Sequence, residues 1–69
     1  MDIVKILRLL DVLNAEHNTH THFQLFSDHS GAFLYHKWNT TTKRYEEIQI
    51  DSFGSFKELS QILENHGVI

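Results

Sequence analysis

The apolar periodicity of this chain changes twice, from helical to alternating and back to helical, and that order limits the fold more than any single residue does. Between residues 2 and 16, Ile3, Ile6, Leu7, Leu10 and Leu13 recur at helical spacing, with Val4 and Leu9 widening the arc. Lys5, Arg8, Val12 and Glu16 fall on the opposite side, so the stripe predicts a helix that packs deeply. Asp2 is placed to cap its first turn. The run is too short for a stable coiled coil. "THFQLFSD", "AFLYHKW" and "RYEEIQI" come next, each aromatic or β-branched and each bounded by turn residues, which predicts three strands. "SFKELSQILENHGVI" returns to helical spacing through Phe56, Leu59, Ile62 and Leu63. Ser55 with Glu58 forms a capping box, and Gly67 supplies a left-handed stop that lets Val68 fold back onto Leu63. The predicted order is α-β-β-β-α. It implies an α+β fold in one domain, residues 1–69, with a three-stranded antiparallel meander and two helices packed on one face.

A chain of 69 residues buries only ~60% of the surface its unfolded form exposes, so the core is small. Small domains often gain a disulfide or a metal as a staple. Cysteine is absent, which excludes disulfides and fits a reducing cytoplasm. No apolar run is long enough to span a membrane. The opening "MDIVKILRLL" is too amphipathic and too early-charged for a secretion signal. Six Lys and Arg against nine Asp and Glu give a net charge of -3, which argues against nucleic acid as a partner. An apolar content of 41% and an aromatic content of 12% argue for a folded chain.

Turn length sets which side chains face inward. A three-residue loop of His29, Ser30 and Gly31, with Gly31 in the left-handed position, puts Phe23 and Leu25 on one face with Phe33 and Tyr35. A four-residue loop from Thr40 to Lys43 sets Tyr35 opposite Ile48 and Phe33 opposite Ile50. Phe23, Leu25, Phe33, Tyr35, Ile48 and Ile50 are then the expected floor beneath the helices. A one-residue slip of the first hairpin would turn His22 and Gln24 inward instead.

The same register places His22, Gln24, Phe26, Leu34, His36, Trp38, Tyr45, Glu47 and Gln49 on the other face, which two helices on one side leave uncovered. Phe26 beside Leu34 and Trp38 beside Tyr45 would make a contiguous apolar patch, the usual mark of a binding surface. A Trp38–Tyr45 pair that merely stiffens the hairpin is the structural alternative. Phe26, Leu34, His36, Trp38, Tyr45 and Glu47 are therefore the expected partner-binding residues, with a second protein or a second copy of this chain as the partner.

"AEHNTHTHF" gathers His17, His20 and His22. H-x-x-H-x-H offers zinc three imidazoles, with Glu16 as a fourth donor. The run straddles a helix exit and a strand start, and Asn18, Thr19 and Thr21 suit that punctuation. Its expected role is local structure, with no metal and no cofactor; His17 near a helix C-terminus is explained by the helix dipole. No cysteine nucleophile, strained nucleophile turn or Gly-rich phosphate loop is present, so no catalytic residue is assigned and a non-enzyme is expected.

Two family resemblances follow from these features. The order α-β-β-β-α, at this length, resembles the double-stranded-RNA-binding domain. That family reads RNA with a lysine cluster at the start of its second helix, where this chain has "GSFKELSQ", with Lys57 alone beside Glu58. A small, acidic, cysteine-free chain that opens on a short helix and continues into a meander also resembles phage-encoded accessory proteins, among them anti-CRISPR and other host-defence inhibitors. This second likeness rests on size, charge and element order. It implies a phage or mobile-element inhibitor that occupies a host protein's surface in the host cytoplasm. A small acidic binding protein acting by protein–protein contact is thus the expected function. A nucleic-acid module of the double-stranded-RNA-binding type and a histidine-based metal-binding regulator are the alternatives.

Overall fold

The computed structural model describes residues 2–69, in the order α1 (Ile3–His17), β1 (His22–Leu25), β2 (Gly31–Asn39), β3 (Arg44–Phe53) and α2 (Phe56–Asn65). The strands form one antiparallel sheet in the order β1-β2-β3, so the α+β meander is as expected. Local signals explain the helix ends. The Asp2 carboxylate accepts from the Val4 amide at 3.0 Å. Asn18, left-handed at φ 50°, stops α1, and the Thr19 amide returns to the Asn14 carbonyl at 3.2 Å. In α2 the Ser55 hydroxyl accepts from the Glu58 amide at 3.3 Å. The Glu58 carboxylate reaches back one residue further than in a standard capping box, to the Gly54 amide. Gly67, at φ 73°, ends the helix, with the Val68 amide bound to the Leu63 carbonyl at 2.9 Å.

α1 is rotated from its expected orientation. Ile6, Leu9 and Leu13 are buried and Leu10 packs beside them, while Ile3, Val4 and Leu7 are all more than half exposed. Ile6, Leu9 and Leu13 span an arc of only about 60° at 100° per residue. A three-stranded sheet with one neighbouring helix covers no more than such an arc, and the rest of the wide apolar stripe stays in water.

The first hairpin differs from expectation in position but not in parity. Its three-residue loop is Ser27–Asp28–His29: the Phe26 amide donates to the Ser30 carbonyl at 2.8 Å and the His29 amide to the Phe26 carbonyl at 3.1 Å. His29 takes the left-handed conformation, φ 68°, that had been expected of Gly31. Its ring stacks on Phe56 with centroids 4.7 Å apart. Asp28 shapes the turn by accepting from the Ser30 amide at 3.1 Å and the Ser30 hydroxyl at 2.5 Å. β1 and β2 therefore pair as Phe23↔Phe33 and Leu25↔Gly31. The partners move by an even number of residues, so Phe23 and Phe33 still face inward. Leu25 does not become core: its partner Gly31 offers no side chain, and Leu25 is 44% exposed.

The second hairpin follows the expected four-residue loop from Asn39↔Arg44 to Leu34↔Gln49, with Tyr35 opposite Ile48. Phe33 then pairs with Asp51 rather than Ile50, which makes Ile50 the extra residue of a β-bulge. Strict alternation would have turned Phe53 away from Phe33. After the bulge, Phe53 pairs with Gly31, and its ring lies 6.1 Å from that of Phe33 and 6.0 Å from that of Phe23. Gly31 is needed for this approach, since a Cβ there would lie 2.5 Å from Phe53 Cζ and closer still to the Gln24 carbonyl oxygen.

The core is thus Phe33 and Phe53 from the sheet, Ile6, Leu9 and Leu13 from α1, and Leu59, Ile62 and Leu63 from α2, with Phe23, Ile50 and Val68 packed at its border. Tyr35 and Ile48, expected beneath both helices, are half-buried. The radius of gyration is 12.9 Å, against roughly 11 Å for a compact domain of this length. The molecule is elongated, 39 × 26 × 16 Å, and beyond Leu34 the β2–β3 hairpin continues as a two-stranded arm.

Candidate partner-binding surface

The arm begins where β1 stops. His22, the first residue of β1, pairs with Leu34. The residue before it, Thr21, gives its amide to the Asn14 side-chain oxygen at 2.6 Å rather than to the sheet. The segment that would have extended β1 therefore bends toward the end of α1. Tyr35 to Asn39 of the central strand are paired with β3 alone. The His17 ring approaches that of Tyr35, with centroids 6.4 Å apart, at the C-terminal end of α1. The tip is held by Asn39, whose side-chain oxygen accepts from the Thr41 and Thr42 amides at 2.9 and 3.2 Å, while its side-chain amide donates to Glu46 at 2.7 Å. Lys43 closes the turn at φ 56°.

Trp38 and Tyr45 face each other across the arm, edge to face, with centroids 5.0 Å apart. Trp38 is 49% exposed and Tyr45 69% exposed, so the pair stiffens the arm without burying either ring. His36 pairs with Glu47 and Lys37 with Glu46, all four exposed.

The structure divides the expected patch. Trp38, Tyr45, His36 and Glu47 lie together on the arm, as the register predicts. Leu34 does not join them as an exposed residue: it is 2% exposed, on the central strand where both neighbours are still paired, between His22 and Gln49. Phe26 is not beside Leu34 either. It closes the first loop outside β1, at the other end of that short strand, and is 53% exposed. The cause is the earlier turn. "SDHS" carries the Asp and Ser signals of a turn, and reading the loop there rather than at "HSG" would have placed Phe26 correctly.

The histidines divide as well. His17 turns to Tyr35, while His20, His22 and His36 form an edge-on series with centroids 6.1 and 5.7 Å apart. Among the described residues no group of three or more His, Asp or Glu side chains is arranged to hold a metal ion. Lys37 was not singled out from the sequence; His22, weighed there as a metal ligand and placed on the outer face but not among the partner-binding residues, has its ring 5.7 Å from that of His36. The parity of the register was the signal for His22. At the far end of the molecule a cleft of about 250 Å³ lies between the helices, with Ile6, Leu59 and Leu63 among its walls and Lys5, Asp2 and Ser60 as its polar residues. No helix among the described residues is long and apolar enough to cross a membrane. Comparison with protein families, curated proteins and solved structures found no match to this chain.

Proposed function

We propose that this chain is a small binding protein, not an enzyme, and that it acts by protein–protein contact through the outer face of the β2–β3 arm. The observation that carries this reading is the Trp38–Tyr45 pair. Two large amphipathic rings stand half and two-thirds exposed on a two-stranded ribbon, and among the described residues no further element buries them. Aromatic residues in such positions are the commonest anchors of protein interfaces. Glu46 and Glu47 share the ribbon with Lys37, Lys43 and Arg44, so the arm lacks the one-signed basic surface that phosphate requires. The mode of action that suits this geometry is occupation of a partner's surface, as in the inhibitor class to which the chain's size and charge invite comparison. The partner is a second protein or, through a two-fold axis, another copy of this chain.

The test is association measured beside stability. Trp38→Ala is expected to weaken self-association in sedimentation, or binding to a purified partner, by about 2 kcal/mol or more. The monomer should stay folded and lose no more than about 1.5 kcal/mol of stability, the worth of an aromatic pair. A variant that unfolds while association persists would assign Trp38 to the fold and remove the arm's main anchor. Binding that collapses between low and moderate salt would instead favour nucleic acid.

A further inference from the structure

The arm has an edge as well as a face, and the edge is more selective. β2 runs nine residues and β1 only four, so from Tyr35 to Asn39 the central strand has no partner on its β1 side. The Thr21 amide, diverted to Asn14, cannot supply one. What remains is a notch in the sheet. A depression of about 350 Å³ adjoins it, with His17, Asn18 and Thr19 on one wall and Tyr35 to Trp38 on the other.

We propose that this notch accepts an extended, carboxylate-bearing peptide segment of a partner protein, which adds to the sheet in line with β1. The proposal rests on the reading of the arm as a protein-contact surface and specifies how contact is made. Three observations select this occupant. The first is the edge itself: alternate backbone N–H and C=O groups of five consecutive residues are complemented by another extended strand. Five residues span roughly 17 Å, which sets the length of the segment. The second is charge. The residues that line the depression include Lys37 and the imidazoles of His17 and His36 and no carboxylate; Glu46 and Glu47, the cross-strand partners of Lys37 and His36, lie on the β3 side, away from it. The third is the contrast with the opposite edge. β3 presents Glu46, Glu47 and the bulge at Ile50, features that discourage addition of an acidic strand, whereas the β2 notch has no bulge and its one charge, Lys37, is of the sign that a carboxylate on the added segment offsets. Side-chain alternation completes the specificity: an added residue opposite Lys37 is acidic, and those opposite His36 and Trp38 are apolar.

The probe is a capped heptapeptide with glutamate at its centre and valine on either side, titrated into the isotope-labelled protein with amide exchange followed residue by residue. The expected result is at least tenfold slower exchange for the edge-facing amides among Tyr35–Asn39. Lys37→Glu, checked for an unchanged melting temperature, should weaken peptide binding at least tenfold, and a peptide with lysine at its centre should bind correspondingly less. A peptide N-methylated at alternate positions along its pairing edge should not bind. Equal binding of the N-methylated peptide, or no change in exchange at Tyr35–Asn39 at millimolar peptide, overturns the proposal. Perturbation of the Trp38 and Tyr45 side chains without amide protection overturns strand addition while leaving the face as the contact surface. Failure of the face itself is read separately, from Trp38→Ala in the association measurement.

Discussion

The two ends of β2 share a strand and differ in everything that surrounds it. At Gly31–Leu34 the strand is flanked by β1 and β3, and Phe33 belongs to the core cluster that both helices share; Phe33 is fully buried and Leu34 nearly so. At Lys37–Asn39 the only partner is β3, and Trp38, the largest apolar residue of the chain, is half exposed. Cross-strand pairing is intact in both places, so pairing alone does not bury a side chain. A third strand and a covering helix do. An isolated two-stranded ribbon is at best marginally stable in water, and this arm persists because its other end is anchored in the core. The chain thus buries one end and leaves the other exposed.

Several substitutions can break or sharpen that contrast. The largest effect is expected at the closed end: Phe33→Ala should cost about 3–5 kcal/mol in urea unfolding, as for other buried aromatic truncations. A loss under about 1.5 kcal/mol would show that the site collapses easily and that the closed end is not tightly packed. Gly31→Ala should follow, at about 1–3 kcal/mol, because the added methyl meets the Phe53 ring and the Gln24 carbonyl. Restoration of part of that loss by Phe53→Leu in the same chain would identify the ring as the obstacle. On the arm, Trp38→Ala should cost the monomer only about 0.5–1.5 kcal/mol, the worth of an aromatic pair. A cost equal to that of Phe33→Ala would mean that the arm has a core of its own. At the arm's tip, Lys43→Gly should raise stability by about 0.5–1 kcal/mol, since glycine adopts the left-handed conformation without steric cost. No gain in the unfolding midpoint would show that the tip is uncoupled from the fold.

The smallest effect concerns acid. The Ser30 hydroxyl, with the Ser30 amide second, holds the Asp28 carboxyl below its ordinary value of 3.8. A carboxyl lowered in the folded state contributes stability that is complete above its unfolded value and is lost as pH falls through the folded one. Ser30→Ala should therefore move the Asp28 titration upward in carbon-detected spectra and flatten the acid limb of the stability profile below about pH 4. An Asp28 titration that stays in place in the variant would assign the shift to the backbone amide alone.

What the sequence by itself determined is what short-range chemistry controls. The element order follows from periodicity. Asp2, Ser55, Glu58 and Gly67 mark the helix ends, and Asn39 to Arg44 mark a turn whose length sets the pairing of Trp38 with Tyr45. These signals act within a few residues of themselves, so they can be read one at a time. Four features were decided only in the tertiary structure. α1 turned Leu9 rather than Leu7 inward, because the small sheet and α2 together cover one narrow arc. The bulge at Ile50 brought Phe53 into the core, and strand alternation alone pointed it outward. Gly31 proved to be a point of close packing rather than a turn residue. Leu34 was buried by its place on the central strand, where the alternation pattern had put it among exposed residues. Each depends on how much space distant segments leave when they meet. That quantity belongs to the whole packed chain, and no local stretch of sequence encodes it.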